Sequence, residues 1–243
     1  MTSLSDLFAR HGGEMPEGGF SAQEVWEANV MTPAEYARVL EEERQARRAM
    51  RARAEETAAE RERRELDAAM VAAGVPACFL RVPVDARPLG ALASGRGLWL
   101  HGPKGTGKTF SACAALKAWV RSGRSGRFAG CVAMLAEIRD AMGDHREAQA
   151  TAAYARTPLL VLDDLGKEAP SPWALSKIFA VVDERVSSGL PIVVTTQQGR
   201  QELAARLARG GDPETAEAIV SRLSGSCDVV QTGGHDRRTH ATC

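Results

Sequence analysis

The stretch Gly102-Pro-Lys-Gly-Thr-Gly-Lys108-Thr109 decides the fold of this chain of 243 residues. It matches the pattern G-x-x-x-x-G-K-[ST] in full, and it follows a short apolar run, Leu98–His101, and precedes a segment with helical character. Gly105 and Gly107 let the backbone wrap around phosphate groups without a Cβ in the way. The pattern therefore predicts a phosphate-binding loop that joins a strand to a helix beginning at Lys108.

The side chains of this phosphate loop, residues 102–109, indicate its ligand. Lys108 is expected to reach the β- and γ-phosphates of a nucleoside triphosphate, and the Thr109 hydroxyl is expected to ligate Mg²⁺. The N-terminus of the following helix adds a partial positive charge beside the phosphates. The predicted binding residues are Gly102, Pro103, Lys104, Gly105, Thr106, Gly107, Lys108 and Thr109.

A second apolar run, Leu159-Leu-Val-Leu-Asp163-Asp164, has the form of a strand that ends in two carboxylates. Asp163 is predicted to hold the hydrated Mg²⁺, and Asp164 to orient or deprotonate an attacking water. An acid that can activate water, beside a separate Mg²⁺ ligand, indicates hydrolysis of the triphosphate more than transfer of its phosphoryl group to a small metabolite. The alternative for Asp164 is the N-cap of the next turn.

A third buried run, Ile192-Val-Val-Thr-Thr196-Gln197, also ends in polar side chains. Thr196 and Gln197 are candidates for contacting the γ-phosphate or the lytic water. Polar residues that simply end a strand at a turn give the same pattern, so both interpretations stay open.

From Gly97 onward, short apolar runs alternate with helical stretches. Continuous apolar runs of strand length are typical of parallel strands that are buried on both faces. The sequence therefore predicts an α/β body in which helices sandwich a parallel sheet. The predicted strands are Leu98–His101, Arg127–Ala133, Leu159–Leu162 and Ile192–Thr195. The predicted helices run from Lys108 to about Ser122, from the end of the second strand to about Gly143, and from about Pro172 to Ser188.

The N-terminal third has a different character. Thr32-Pro-Ala-Glu35 combines an N-cap, a proline at the first helical position and a glutamate three residues after the cap. With Gly74 as a stop signal, the pattern predicts one helix from about Pro33 to Ala73. Between Leu40 and Leu66 this helix has almost no apolar side chain, so it buries little surface by itself. It is either a solvated spacer or a partner-binding arm that docking orders.

Composition bounds the class of protein. Hydrophobic residues make up 44% and charged residues 26% of the chain, as in globular domains, and no apolar stretch is long enough to span a bilayer. Because the N-terminus lacks the features of a signal peptide, we expect a cytoplasmic protein without a membrane partner. Residues 1–75 hold 10 Lys and Arg against 15 Asp and Glu, and the remainder holds 21 against 16. The five scattered cysteines suggest neither a zinc site nor a disulfide framework.

Two arginine-bearing segments follow near the C-terminus, Ser221-Arg222-Leu223 and Gly234-His-Asp-Arg237-Arg238. By spacing alone, such arginines are usually surface charges. However, these segments occur together with the phosphate loop, the third apolar run and the carboxylate-bearing strand, which continues as Asp163-Asp-Leu-Gly166. With this set of motifs the chain resembles the DnaC/DnaI/IstB-type AAA+ ATPases. The resemblance runs from about Ala73 to Arg238.

This resemblance implies a P-loop NTPase domain of the AAA+ (ASCE) type over residues 76–243, with little or no lid and with ATP and Mg²⁺ as cofactors. It makes Arg222 an arginine finger that acts on a neighbouring subunit's ATP, and it makes Arg238, or alternatively Arg237, the sensor-2 residue. Thr196 and Gln197 occupy the sensor-1 position, where the family usually has Asn.

The resemblance also implies a function. Proteins of this type are helicase loaders and transposition helpers. We expect an ATPase, weak alone and stimulated by self-association through Arg222 or by DNA, that delivers a replicative DnaB-type helicase onto single-stranded DNA. Residues 1–75 become the helicase-binding helical arm, and Arg121, Arg124 and Arg127 become possible phosphate contacts. The alternatives are an IstB-like transposition helper on duplex DNA and a stand-alone P-loop kinase.

Overall fold

The computed structural model of the protein describes Gln23 and residues 32–233. The chain divides into two compact units, Met1–Arg63 and Arg64–Cys243. Residues 64–72, which end the first helix, thus fold with the second unit. The functional boundary after residue 75 stays a prediction.

The predicted long helix is present as α1, Pro33–Ala72. Its start has the expected capping box: the Thr32 backbone N–H donates to Glu35 Oε2 at 2.8 Å, and the Glu35 N–H donates to Thr32 Oγ1 at 3.4 Å. Gly74, with φ of +85°, follows its end. Every residue from 44 to 63 is exposed, as the lack of apolar side chains predicts.

No described helix is long and apolar enough to cross a membrane.

The second unit continues with short elements and then alternates strands with helices. After a 3₁₀ turn at Ala77–Phe79, the elements are α2 (Leu89–Ala93), β1 (Gly97–His101), α3 (Lys108–Arg121), β2 (Arg127–Gly130), α4 (Cys131–Asp140), α5 (Glu147–Ala155), β3 (Leu160–Leu165), α6 (Pro172–Ser187), β4 (Ile192–Thr196), α7 (Arg200–Ala208), α8 (Pro213–Ser226) and β5 (Cys227–Gln231).

The sheet contains five described strands in the order β2-β3-β4-β1-β5, and every neighbouring pair is parallel. The prediction of a parallel sheet sandwiched by helices, in the ASCE arrangement, is therefore confirmed. Strand β4 lies between β1, which leads into the phosphate loop, and β3, which carries the two carboxylates. Because parallel strands end at the same edge, this order brings the polar ends of all three strands together.

Two hydrophobic clusters cover the two faces of the sheet. Leu160 and Leu162 point into one cluster, built mainly with α4, α6, α7 and α8, whereas Val161 points into the other. The second cluster joins α3 to Met70 and Val75. The last turns of α1 are therefore packed into the core of the second unit, to which residues 64–72 belong. Alternating residues of a buried strand contribute to both faces, which is why these strands read as continuous apolar runs.

Some predicted boundaries were wrong. The strand predicted over Arg127–Ala133 ends at Gly130, and α4 begins at Cys131, because an apolar run of that length is ambiguous between strand and buried helix. The strand predicted to stop at Leu162 continues to Leu165. Helix α6 begins as predicted, with Ser171 as its N-cap accepting from the Ala174 N–H at 3.1 Å.

Candidate functional site

The phosphate loop connects β1 to α3 through three glycines with positive φ. These angles are 143° at Gly102, 78° at Gly105 and 87° at Gly107. At Gly102 a Cβ would also lie 2.1 Å from the Thr232 carbonyl oxygen, so only glycine fits there. The three positive φ angles thus fix the turn of the loop backbone between β1 and α3.

Lys108, the first residue of α3, is buried against this loop. Its Nζ donates to the carbonyl oxygens of Gly102 at 2.8 Å and Pro103 at 2.7 Å. The ammonium group therefore lies across the loop at the positive end of a helix, which is the arrangement that attracts an anion. Lys104, by contrast, is exposed.

Thr232, which sequence reasoning missed, supports the phosphate loop from the other side. Its backbone N–H donates to the His101 carbonyl at 2.7 Å, and its hydroxyl lies 2.8 Å from the Thr106 hydroxyl. These contacts join the segment after β5 to the loop. No pattern near Thr232 signals this role, because it depends on β5 pairing with β1.

Asp163 and Thr109 meet at the carboxyl edge of the sheet. The Thr109 hydroxyl donates to Asp163 Oδ1 at 2.9 Å, and the Thr195 hydroxyl donates to the same oxygen at 2.6 Å. Burial raises the pKa of Asp163, and these two hydroxyl donors partly offset that rise. The structure therefore brings the two predicted Mg²⁺ ligands into direct contact.

Asp164 sits in an unusual backbone conformation. Its φ is +60°, in the left-handed region that residues other than glycine rarely adopt, and the β3–β4 register shifts between Leu162 and Leu165. Such strain concentrates at functional sites. The Asp164 N–H donates to Thr195 Oγ1 at 2.9 Å, and its carboxylate accepts from Lys167 Nζ at 2.5 Å.

The alternative role of Asp164 as an N-cap has little to support it. The next helix, α6, begins at Pro172 and is capped by Ser171. The Asp164 carboxylate is half-exposed and pairs with Lys167, three residues later. It is thus an accessible acid beside the pair formed by Thr109 and Asp163.

The two predicted sensor residues, Thr196 and Gln197, lie at and just after the end of β4, and their role stays a prediction. Thr196 is fully buried and its hydroxyl donates to Gln198 Oε1 at 2.8 Å, while Gln197 is half-buried beyond the end of β4. Thr195 is the residue of β4 whose hydroxyl reaches Asp163. Sequence reasoning missed Thr195 because adjacent residues of a strand point to opposite faces of the sheet. The sequence alone does not say whether Thr195 or Thr196 points towards Asp163.

The loop after Asp164 is held by α7. Arg206 donates from Nε to the Gly166 carbonyl at 2.9 Å and from Nη2 to the Glu168 carbonyl at 3.0 Å. The buried Glu168 carboxylate accepts in turn from the Gly166 N–H at 2.9 Å. Three hydrogen bonds thus fix the chain immediately downstream of the two carboxylates.

Arg222 lies on α8 and bonds within its own chain. Its Nε donates to Asp183 Oδ1 on α6 at 2.5 Å, and its guanidinium lies 4.7 Å from the centre of the Phe179 ring. Its hydrogen bonds do not lead to the phosphate loop. Arg237 and Arg238 lie outside the described residues.

The predicted DNA-contacting arginines have other partners. Arg127 Nη2 donates to Glu137 Oε1 at 2.8 Å, and its guanidinium lies 3.8 Å from the Tyr154 ring. Arg124 lies 4.6 Å from the Trp119 ring. Their role in binding phosphates stays a prediction.

Known proteins with a similar sequence identify the family. A family model described as IstB-like ATP binding protein matches residues 34–242. The chain belongs to the IstB-like ATP-binding family. It is thus an ATP-binding AAA+ protein, and the resemblance inferred from its motifs is confirmed.

Relatives of this IstB-like protein fall into two groups. It is 26% identical over 164 residues to an ATP-binding protein in an insertion sequence of Mycobacterium tuberculosis, covering 68% of this chain and 63% of that protein. It is 25% identical over 149 residues to the replicative helicase loader DnaI of Bacillus subtilis, covering 59% of this chain and 48% of that protein. The chain therefore spans less than two thirds of the length of either relative.

A solved structure supports the fold independently. The crystal structure of DnaI superposes with a TM-score of 0.56, covering 65% of this chain and 95% of that chain, at 24% identity. At this identity the match shows the fold alone.

The site of this IstB-like protein fits the ligand that the family name implies. The glycine backbone, the Lys108 ammonium and the N-terminus of α3 would hold the phosphates of ATP. The hydroxyl of Thr109 and the carboxylate of Asp163 are hard oxygen donors of the type that Mg²⁺ takes. When bound with the nucleotide, Mg²⁺ would supply neutralisation of phosphate charge.

Proposed function

We propose that this protein hydrolyses ATP at a site completed by a second subunit, and that it uses the cycle to load a replicative DnaB-type helicase onto single-stranded DNA. One observation carries the proposal of ATP hydrolysis. A continuous hydrogen-bonded chain runs from Thr109 through Asp163 and Thr195 to Asp164 at the edge of the sheet that the phosphate loop faces. Such a chain holds a metal-binding carboxylate and a separate acid in one fixed relationship.

In the proposed reaction, a water oxygen attacks the γ-phosphorus and the bond to the bridging β–γ oxygen breaks. Asp164 orients this water and accepts its proton, while Lys108 stabilises the charge on the phosphate oxygens. Inorganic phosphate and ADP leave. Asp164→Asn should keep ATP binding and slow hydrolysis, whereas Lys108→Ala should abolish binding.

The second half of the site is proposed to be Arg222 of a neighbouring subunit. Within one subunit this guanidinium pairs with Asp183 and is partly exposed. We therefore expect it to contact the phosphates of a neighbouring subunit and not those bound at the phosphate loop of its own subunit. An arginine supplied in this way stabilises the charge that develops in transfer, an effect worth about 10³–10⁵ in rate. Hydrolysis per subunit should then rise steeply with protein concentration.

A mixing experiment tests this arrangement sharply. Lys108→Ala removes ATP binding but leaves the finger, whereas Arg222→Ala removes the finger but leaves ATP binding. Each variant alone should be inactive, and a mixture of the two should recover activity, because one interface then combines an intact loop with an intact arginine. Turnover that is independent of protein concentration and of Arg222 would instead favour a stand-alone kinase-like enzyme.

The loader role is supported by the similarity to the helicase loader DnaI and by the long exposed helix that precedes the ATPase unit. Residues 1–75 are the proposed helicase-binding arm. Full-length protein should capture a DnaB-type helicase in a pull-down, and protein lacking residues 1–63, the first compact unit, should not. Retained capture by the remaining body would overturn the arm assignment.

A second candidate function, a transposition helper that partners a transposase on duplex DNA, is favoured by a separate observation. The IstB-like model matches from residue 34, and a relative lies in an insertion sequence. The same pull-down discriminates, with a transposase encoded beside the gene as the second bait. Capture of the transposase and not of the helicase would select the helper role.

A further inference from the structure

Charge is unevenly distributed along α1. Residues 44–54 contain five arginines and no acidic residue, although glutamates occupy positions 41–43 on one side and 55–56 on the other. A helix that is merely solvated usually alternates its charges, which gives stabilising pairs of opposite sign. This segment concentrates one sign instead.

Four of these arginines lie on one face of the helix. Arg44, Arg47, Arg48 and Arg51 are spaced by three and four residues, and this spacing aligns side chains along a helix. At about 1.5 Å per residue they form a strip about 10 Å long. Arg53 falls on the opposite face. We call the four residues the arginine strip.

The arginine strip has almost no internal compensation. All four residues are exposed, and the ion pair found for them is between Arg47 and Glu43, at 4.0 Å. Within residues 32–233, Arg44, Arg48 and Arg51 form no ion pair. Like charges at such spacing destabilise a helix slightly, by about 0.2–0.5 kcal/mol for each pair. The strip therefore keeps its charge available for an anionic partner.

The surroundings of the strip indicate the kind of partner. Between Leu40 and Leu66 the helix offers only Met50 and alanines as apolar side chains. This stretch of the arm therefore lacks the aromatic or aliphatic anchors on which protein interfaces depend, and we expect the other residues of the arm to contact the helicase. It also lacks the apolar face with which a helix enters a membrane surface. Guanidinium groups match phosphates in geometry, and binding to a backbone of phosphates needs no apolar anchor.

We propose that the arginine strip binds the phosphate backbone of a nucleic acid. The strip lies on a different unit from the phosphate loop. The proposal therefore does not rest on the ATPase reaction or on the protein partner proposed above. Single-stranded and duplex DNA offer the same phosphate chemistry, and binding measurements with each of them separate the two.

The experiment compares two triple variants of the full-length protein that change the same amount of charge. R44Q/R48Q/R51Q removes most of the strip, and R38Q/R53Q/R63Q removes three exposed arginines from other faces of the same helix. Glutamine has nearly the helix propensity of arginine, and circular dichroism checks that helix content is unchanged. Fluorescence anisotropy with a labelled single strand and with a duplex is followed over a salt series.

The strip variant should lose about tenfold or more in affinity at moderate salt, and the slope of log K against log salt should fall by about 2 for a single strand or about 3 for a duplex. The control variant should lose less than about twofold, and both should bind ATP normally. Equal losses in the two variants would overturn the proposal, as would no loss in either. Lost helicase capture with unchanged DNA affinity would overturn it in favour of a protein partner.

Discussion

Arg222 and Asp183 form an ion pair between α8 and α6, in which the arginine Nε lies 2.5 Å from the carboxylate Oδ1. The Phe179 ring, one helical turn before Asp183, packs against the same guanidinium at 4.7 Å. Only Nε is used by the carboxylate, so the outer edge of the guanidinium faces away from it. A long side chain held in this way loses little further freedom when it meets a phosphate.

Asp183→Asn should therefore weaken hydrolysis through Arg222 alone. An exposed pair is worth no more than about 1 kcal/mol, so we expect the turnover number to fall up to about fivefold at saturating ATP. The dissociation constant for ATP should not change, because Asp183 does not contact the phosphate loop. Turnover and nucleotide titration measure the two quantities separately.

The matched control is Glu184→Gln, which removes the neighbouring acid of α6, paired with Arg156 at 3.3 Å. It should leave turnover unchanged. In an Arg222→Ala background, Asp183→Asn should have no further effect. An additional loss there would show that Asp183 acts by another route.

Thr195 and Thr196 offer a direct comparison between adjacent, fully buried residues. Thr195→Val removes the hydroxyl that donates to Asp163 and accepts from the Asp164 N–H, which leaves this partly buried donor without its acceptor at a cost of about 1 kcal/mol. We expect turnover to fall about tenfold and the Mg²⁺ concentration for half-maximal activity to rise. Thr196→Val should change turnover less than about threefold, since its hydroxyl bonds only Gln198. A larger loss at Thr196 would support the sensor role predicted for it from the sequence.

Lys167 neutralises the acid that we propose as the catalytic base. Because it pairs with Asp164 at 2.5 Å, Lys167→Met should free the carboxylate to contact water, and basal turnover should rise by up to about fivefold. Lys177→Met is the control, since Lys177 pairs with Glu147 at 2.9 Å, away from this loop. In an Asp164→Asn background the effect of Lys167→Met should vanish. A fall in turnover would instead mean that Lys167 assists the reaction.

The sequence predicted those parts of the site that one segment builds alone. The phosphate loop combines three positive-φ glycines with a lysine at the helix start, and all of these follow from a contiguous motif. The parallel sheet could also be predicted from the sequence, because strands buried on both faces are continuous apolar runs. Contacts between distant segments could not be predicted in this way. Thr232 reaches the loop only because β5 pairs with β1, and Thr195 reaches Asp163 only because β4 lies beside β3.

Arg185 is a further residue that the sequence did not reveal, and its role is structural. It is fully buried on α6, and its Nη1 donates to the carbonyl oxygens of Tyr154 at 3.1 Å, Ala155 at 3.1 Å and Thr157 at 2.7 Å. Burial lowers its pKa to about 10, so it remains a cation at neutral pH. One guanidinium thus satisfies the end of α5 and the turn that leads into β3.

Arg185→Met should consequently destabilise the fold more than Asp183→Asn or Thr195→Val. It leaves buried carbonyl oxygens without a donor, and we expect a loss of about 3 kcal/mol or more in the free energy of unfolding. Arg156→Met, which removes an exposed arginine beside the same turn, should cost less than about 0.5 kcal/mol. Urea unfolding of both variants measures the difference.

The pH dependence of this stability difference follows from the pKa of Arg185. Because the pKa in the folded state lies below that in the unfolded state, deprotonation of Arg185 would add stability only above about pH 10. The difference in free energy of unfolding between wild type and Arg185→Met should therefore be constant over the neutral range. A gap that varied with pH near neutrality would mean that the contribution of Arg185 comes from another titrating group.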